Sequence, residues 1–368
     1  MDIAITGADG FLGQNLIYKL IKRKNININK ITRKTKIEEL NKIILKSKLI
    51  YHFAGVNRPK TNDKFFIDNV EFTKHICNLL IKNKSKNKII FTSSTQAEGK
   101  SEYGKSKKKC EDIILNYAKK NKATIYIYRL PNVFGKWSKP NYNSVVSTFC
   151  NNISRNKKIT ISNSKRKITL VYIDDIMDDI IKIINNKKNV LKIFCKVSQE
   201  TIINLKDLSD TIKEFHRDRK AGKINNISLG FRKKLYATYV SFLPKKDIKY
   251  SLVSKKDKRG SFIEFLKTNN NGQISIFSAK KNTTRGKHFH HSKVEKFFVI
   301  NGRAKFYMRN ISTNKEIVYI LNSRIPEVIE SLPGHTHYIK NIGKVDLIVL
   351  LWSNEVFNIR IPDTFSHE

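Results

Sequence analysis

Tyr103 and Lys107 stand four apart in Tyr103-Gly104-Lys105-Ser106-Lys107, so on a helix they share one face. A free tyrosine, with a pKa of about 10, is a poor acid–base group at neutral pH. An ammonium on the same face favours the phenolate and would bring the group into working range. Just upstream, Thr92-Ser93-Ser94-Thr95 closes an apolar run, which puts Ser94 at a strand end where its hydroxyl can donate to a carbonyl. The set suits proton transfer at a carbonyl oxygen.

A second pattern opens the chain. Asp2–Thr6 is a short apolar strand, and Gly7, Gly10 and Gly13 follow it with the spacing TGxxGxxG before an amphipathic stretch. Backbone in such a turn passes close to a diphosphate, so a Cβ would collide, and the helix that follows presents free N–H groups to the anion. In this context the triplet points to a dinucleotide. Sites for NAD place an acid about twenty residues beyond the glycines, to hold the ribose 2′-hydroxyl. Here that place reads Ile31-Thr32-Arg33-Lys34, without a carboxylate. Arg33 can pair with a 2′-phosphate, which favours NADP(H); the plainer reading is one more solvated cation.

A third pattern lies near the other end. In Gly286-Lys287-His288-Phe289-His290-His291-Ser292-Lys293-Val294-Glu295, His288 and His290 share one side of a strand and His291 faces the other. Pro333-Gly334-His335-Thr336-His337 and then Asn341 follow. Three imidazoles and a carboxylate from His288, His290, Glu295 and His337 suit a borderline divalent ion such as Zn²⁺. The alternative is a metal-free site whose histidines do acid–base work or bind a diphosphate.

These groups need scaffolds. Strand-like runs at Asp2–Thr6, Asn27–Ile31, Leu49–Ala54, Lys88–Ser93 and Thr124–Leu130 alternate with helix-like stretches at Phe11–Lys24, Ile37–Ser47, Phe65–Lys84 and Gly104–Lys120. Continuous apolar strands between helices predict a parallel sheet covered on both faces, wound right-handed. From about Pro140 the alternation loosens, with helices expected over Ser144–Asn156 and Asp174–Asn186 and a strand over Ile168–Ile173. Beyond Asp247 the period becomes two, and Gln273–Ser278, Lys296–Ile300, Ala304–Met308, Glu316–Leu321, Val328–Ser331 and Leu347–Trp352 read as short strands of a sandwich or barrel. The expected division is 1–246, with a substrate-capping segment from about 140, and 247–368.

Composition narrows the classes. The chain has 368 residues and a formal charge of +41, from 72 Lys and Arg against 31 Asp and Glu. Its lysines are spread along the whole length among Asn and Ile, so nucleic acid is not the expected partner, although a positive field does draw anionic ligands. Cys77, Cys110, Cys150 and Cys195 have no paired spacing and read as reduced thiols. No basic-then-apolar leader and no membrane-length apolar run is read, so the expectation is a soluble cytoplasmic protein without a membrane partner.

TGxxGxxG, Tyr51-His52-Phe53-Ala54-Gly55, Ser93-Ser94, YxxxK, Arg129-Leu130-Pro131-Asn132-Val133-Phe134-Gly135 and Val171-Tyr172-Ile173-Asp174-Asp175 together resemble the extended short-chain dehydrogenase/reductases (SDR) that act on nucleotide sugars. The resemblance implies a Rossmann-like doubly wound α/β domain with Ser94, Tyr103 and Lys107 catalytic. It also implies a cofactor set of Gly7, Gly10, Phe11, Leu12, Gly13, Arg33, Ala54 and Lys107, and Asn132 at the substrate. The histidine segments resemble both cupin motifs, HxHx4E and GxxHx3N, which implies an all-β cupin barrel. A reductase fused to a C-terminal cupin, with Phe242-Leu243-Pro244 between them and Asn358-Ile359-Arg360-Ile361-Pro362-Asp363-Thr364 near the end, is similar to the bifunctional capsular-polysaccharide enzymes of the CapF family.

That family implies a homodimer using NADPH and a UDP-sugar. Its cupin inverts C3 of a UDP-2-acetamido-2,6-dideoxy-4-ketohexose. Its SDR domain then reduces the C4 ketone, giving UDP-2-acetamido-2,6-dideoxy-L-talose on the way to UDP-N-acetyl-L-fucosamine. Tyr307, Tyr338, His291 and His335 are candidate proton shuttles for the epimerisation. Two other readings stand beside it: a reductase whose cupin only dimerises and binds metal, and an NADP(H) sensor without turnover.

Overall fold

The computed structural model describes residues 1–57, 61, 65–185 and 194–367. It contains two compact units, Met1–Lys213 with Leu229–Pro244, and Glu214–Ser228 with Lys245–Glu368. Residues 214–228, left with the first domain by the sequence division, group with the second unit. There Ile224 N–H donates to Lys267 O at 2.8 Å and Lys267 N–H to Gly222 O at 2.9 Å.

In the first unit, strands β1 (Asp2–Thr6), β2 (Asn27–Ile31), β3 (Leu49–His52), β4 (Lys88–Ser94), β5 (Ile125–Leu130) and the two-residue Phe194–Cys195 form one sheet in the order β2-β1-β3-β4-β5-Phe194–Cys195. Every pairing is parallel. Alternate strand residues feed two separate cores: Ile3, Ile5, Tyr51, Ile90 and Tyr128 on one face, and Ala4, Ile50, Phe91 and Ile127 on the other. That two-sided burial is why the strands read as unbroken apolar runs. Helices α1 (Phe11–Leu20), α2 (Ile37–Lys46), α3 (Phe72–Lys82) and α4 (Glu102–Asn121) connect them. The chain order reverses where β1 lies between β2 and β3, the switch point at which such folds bind ligands beyond the carboxyl ends of their strands.

Two sequence expectations shift locally. The third strand ends at His52, so Ala54 lies in the loop beyond it, and the single helix expected over Phe65–Lys84 begins with a π-helical turn, Phe66–Glu71. Helices Val145–Ser154 and Ile173–Lys182 and the strand Lys167–Tyr172 occur near their expected places, while Asn186 lies outside the described residues. The helix Gly230–Ser241 and the strand Thr201–Asn204 had no periodic signal strong enough to be read.

The second unit is a cupin-type pair of antiparallel sheets. One has the strand order Ser254–Asp257, Gly260–Lys267, Gln273–Ala279, Leu347–Ser353, Glu295–Asn301, Val328–Glu330. The other runs Glu316–Asn322, Arg303–Asn310, His335–Asn341, Thr284–Phe289, Phe365–Ser366. Inward residues change character along the strands. Phe277, Val299, Phe306, Ile339 and Val349 fill one end, whereas Gln273, Ser275, Glu295, His337 and Ser353 are buried at the other. The polar end is where a site can be built.

Candidate functional site

In the first unit the glycine turn is shaped by close backbone approach. Gly7 has φ +66°, and a Cβ on Gly13 would lie 2.4 Å from Gly7 O, so α1 can start where it does only without side chains there. Gly10 caps α1 in an extended conformation with no side-chain bond to the helix, which leaves the first N–H groups for a diphosphate. Phe11 and Leu12 open that helix. Arg33 is exposed in the turn after β2, and this turn is closed by Thr32 N–H donating to Thr35 Oγ1 at 3.0 Å. The cradle and the buried Lys107 fit a dinucleotide.

A polar chain, unread in the sequence beyond the presence of His52 in a motif, ties this turn to the YxxxK helix. Thr6 Oγ1 accepts from Ala54 N–H at 3.1 Å and lies 2.8 Å from His52 Nδ1. His52 Nε2 is 2.9 Å from Thr73 Oγ1, which donates to Asn69 O at 2.7 Å. Complementary donors assign His52 as the neutral tautomer protonated on Nε2. Its burial agrees, pulling the imidazole down to about 3, with Lys107 adding to the effect. Asn69, in the π-turn, holds Val56 N–H at 2.7 Å and donates to Ser106 Oγ at 3.2 Å; Ser106 in turn donates to Tyr103 O.

Ser94 and Tyr103 are brought together by a short connection. Ser94 caps the 3-10 turn Thr95–Glu98, and Ser101 caps α4, accepting from Gly104 N–H at 3.1 Å. A Cβ on Gly104 would fall 2.1 Å from Gln96 O, so glycine is what lets the helix start against that turn. The Tyr103 phenol lies beside Ser94 and packs against Phe65. Lys107 is buried, with Nζ donating to Thr92 O at 2.9 Å and lying 4.8 Å from the Phe91 ring centre.

One expectation is corrected here. Burial pushes the Tyr103 phenol up to about 12, and the neighbouring Ser94 hydroxyl offsets only part of that rise. Lys107 is anchored on the Thr92 carbonyl, and its own pKa is lowered by burial. The phenol is therefore held protonated rather than acidified. Asn132 is exposed at the start of its strand and donates to Thr169 O at 3.1 Å.

In the second unit His288, His290, Glu295 and His337 converge, with their ligand atoms within 4.8 Å of one another. His288 and His337 are opposed across paired strands, while Glu295 comes from the other sheet. Glu295 Oε2 is 3.3 Å from both His290 Nε2 and His337 Nε2 and 3.9 Å from His288 Nε2. Burial disfavours the carboxylate, but the three imidazoles and Lys293 outweigh it and hold Glu295 well below the usual carboxylate range. His288 Nε2 and His290 Nε2 are buried without a hydrogen-bond partner, a donor set that fits a divalent cation.

The cluster floors a cavity of about 350 Å³, whose charged lining is Lys255, Arg259, Arg285 and Lys293 against Glu264 and Glu295. None of the four residues expected as proton shuttles lines it. Tyr307 donates to Glu316 Oε1 at 2.6 Å and stacks on Tyr338 at 4.7 Å. Both are strand neighbours of inward Phe306 and His337, so they face outward. His291 packs on Phe365, and His335 lies 3.3 Å from Asn310 Nδ2. Lys255, Arg259, Arg285 and Lys293, unread in so lysine-rich a chain, are the cationic groups the cavity does present.

Residues 3–194 match the NAD dependent epimerase/dehydratase family, and residues 255–365 match the polysaccharide biosynthesis C-terminal domain. The UDP-2-acetamido-2,6-beta-L-arabino-hexul-4-ose reductase of Pseudomonas aeruginosa is 42% identical over 367 residues, 100% of this chain and 98% of that protein. The crystal structure of the capsular polysaccharide assembling protein CapF from Staphylococcus aureus is 38% identical and superposes with a TM-score of 0.93 over 100% of both chains. UDP-glucuronic acid 4-epimerase from Bacillus cereus, 19% identical with a TM-score of 0.55, shares the fold over 66% of this chain and 98% of its own. Among the described residues no helix is long and apolar enough to cross a membrane. With the glycine cradle and the buried Lys107 in its first unit and the matched C-terminal domain in its second, the chain belongs to the NAD dependent epimerase/dehydratase family, in the two-domain form of CapF, and the nicotinamide cofactor is that family's.

Proposed function

We propose that this chain makes UDP-2-acetamido-2,6-dideoxy-L-talose from a UDP-2-acetamido-2,6-dideoxy-4-ketohexose, inverting C3 in the second unit and reducing the C4 ketone in the first. The observation that carries the reading is the Tyr103 phenol beside Ser94 and one helical turn from the buried Lys107, in a chain 42% identical along its length to a UDP-ketosugar reductase. Reduced nicotinamide supplies the hydride to C4 when bound, and Arg33 makes NADPH the expected form.

The chain's own residues then do the following. Ser94 donates to the C4 oxygen and orients the ketone. Tyr103 delivers its proton to that oxygen as the C–H bond forms, and a phenol held at about 12 is in the acid form needed for it. Lys107 positions the nicotinamide ribose from its anchor on Thr92 O. Asn132 contacts the sugar. Epimerisation precedes reduction because the C4 ketone is what acidifies the C3 proton. In the second unit His288, His290, Glu295 and His337 would hold a divalent cation such as Zn²⁺, which would supply positive charge at the cavity floor. Arg285 and Lys255 on its wall suit an anionic sugar nucleotide. A homodimer is part of the same reading.

The outward placement of Tyr307 and Tyr338 favours a second reading, a reductase whose cupin does no chemistry. Incubating the full chain with the UDP-4-ketosugar in D₂O separates the two. Without NADPH, the proposal expects deuterium at C3. With NADPH, it expects one product with inverted C3 and a C4 hydroxyl. Reduction without deuterium at C3 supports the second reading, and failure of the ketosugar to oxidise NADPH sinks both.

A further inference from the structure

Between His290 and Glu295 runs His291-Ser292-Lys293-Val294, and one distant carboxylate holds the first three backbones. Asp363 Oδ1 accepts from His291 N–H at 2.8 Å, and its Oδ2 accepts from Ser292 and Lys293 N–H, each at 2.8 Å, and from Ser292 Oγ at 2.9 Å. The carbonyl oxygen of the same residue accepts from His290 Nδ1. Beyond it, Phe365–Ser366 adds a strand against His288–Phe289, with Phe365 stacked on Phe289 at 5.3 Å. His367 N–H closes onto Lys287 O at 3.2 Å, and Thr336 Oγ1 reaches His367 O at 3.4 Å. Residues 363–367 thus bond to the segments that carry His288, His290 and His337, and to the loop leading into Glu295.

We propose that Asp363, with the strand that follows it, is a latch that positions the cation ligands, so that cation binding and docking of residues 363–367 are coupled. This rests on the cation reading of the cluster. The chemistry has two parts. The Asp363 carbonyl fixes the proton of His290 on Nδ1, leaving the Nε2 lone pair directed at Glu295 Oε2. The carboxylate, accepting successive N–H groups, fixes the loop that sets the spacing between His290 and Glu295. Asp363 does not line the cavity and reaches its floor only through His290, so it is a positioning residue. Coupling is reciprocal: whatever the latch adds to cation affinity, the cation adds to docking of the latch.

The test uses the full chain, Zn²⁺ and Co²⁺ as probes, and no turnover. Titration against a chromophoric chelator is expected to give one tight cation per chain in the wild type. Asp363→Ala should bind about 10- to 100-fold more weakly, the range for loss of a ligand-orienting partner, with Asp363→Asn between the two. The visible spectrum of bound Co²⁺ should change in Asp363→Ala and return towards the wild type in Asp363→Asn. Hydrogen exchange on the wild type alone should slow at residues 287–293 and 363–367 when Zn²⁺ is added. Equal affinity in Asp363→Ala, or exchange at 363–367 indifferent to Zn²⁺, overturns the latch while leaving the cation site standing. A wild type that binds no cation overturns both.

Discussion

Lys293 Nζ lies 3.0 Å from Glu295 Oε1, the carboxylate oxygen turned away from the three imidazoles, which converge on Oε2. Both side chains are buried, so the ammonium stands in for the charge a cation would bring. It also repels that cation. Lys293→Met is therefore expected to bind Zn²⁺ on the order of tenfold more tightly than the wild type. The same variant without metal should lose about 3 kcal/mol of stability, because a buried carboxylate has lost its partner. Chelator competition and thermal unfolding with and without EDTA measure both. Weaker binding in Lys293→Met would mean the lysine orders the site rather than opposing the ion.

His52 makes the first unit acid-sensitive. Its imidazole is held near 3 in the fold against 6.5 as its ordinary value, so the unfolded chain binds the extra proton anywhere between the two. The stability of the neutral form is fully present above about pH 6.5 and drains away at about 1.4 kcal/mol per pH unit below it. His52→Phe removes this slope but leaves the Thr6 hydroxyl without its acceptor, at a cost of about 1–3 kcal/mol at pH 7. The two tryptophans, Trp137 and Trp352, fall one in each unit, so Trp137 fluorescence in a Trp352→Phe background reports the first. Urea unfolding at pH 5 and pH 7.5 should differ more for the parent than for His52→Phe. Equal differences would mean another group carries the acid sensitivity.

Much of this was legible because it is local. TGxxGxxG and YxxxK are short spacings whose strand and helix form where the periodicity puts them, and HxHx4E is a strand-and-turn pattern that delivers His288, His290 and Glu295 together. The misses have identifiable causes. Asp363 reaches its loop across about seventy residues of intervening chain, and no local pattern encodes that. Lys293 is one lysine among many, so its type carried no information. Tyr307 and Tyr338 each stand next to an inward residue, Phe306 or His337, so period two sends them outward, away from the cavity. Spacing shows that Tyr103 and Lys107 share a face, but not that Lys107 is tied to Thr92 or that burial dominates.

Arg33 is exposed in a turn that carries no carboxylate at the place where the ribose hydroxyl acid would stand. If it pairs with a 2′-phosphate, the bond is charge-assisted, worth about 1.5–3 kcal/mol, or roughly ten- to a hundredfold. Arg33→Ala should lower the NADPH-over-NADH ratio of kcat/KM by that factor, and Arg33→Asp should lower it further by repelling the phosphate. Steady-state rates with each dinucleotide measure it. An unchanged ratio in Arg33→Ala would return this residue to the many solvated cations of the surface.

Tyr103→Phe removes one hydroxyl and keeps the ring that packs on Phe65, so the helix and the dinucleotide turn should stay as they are. Loss of a positioned acid is expected to cut ketosugar-dependent NADPH oxidation by about 10²- to 10⁴-fold, with NADPH affinity little changed. The direction of the reaction sharpens the pH prediction. Reduction needs the phenol protonated, and burial keeps the free group protonated until pH rises through about 12. The kcat/KM for reduction should therefore show no alkaline loss from this group between pH 7 and 10. The reverse oxidation needs the phenolate and should rise across the same interval. A reduction profile that falls with an apparent pKa near neutrality, and disappears in Tyr103→Phe, would show that the bound dinucleotide and Lys107 acidify the phenol after all.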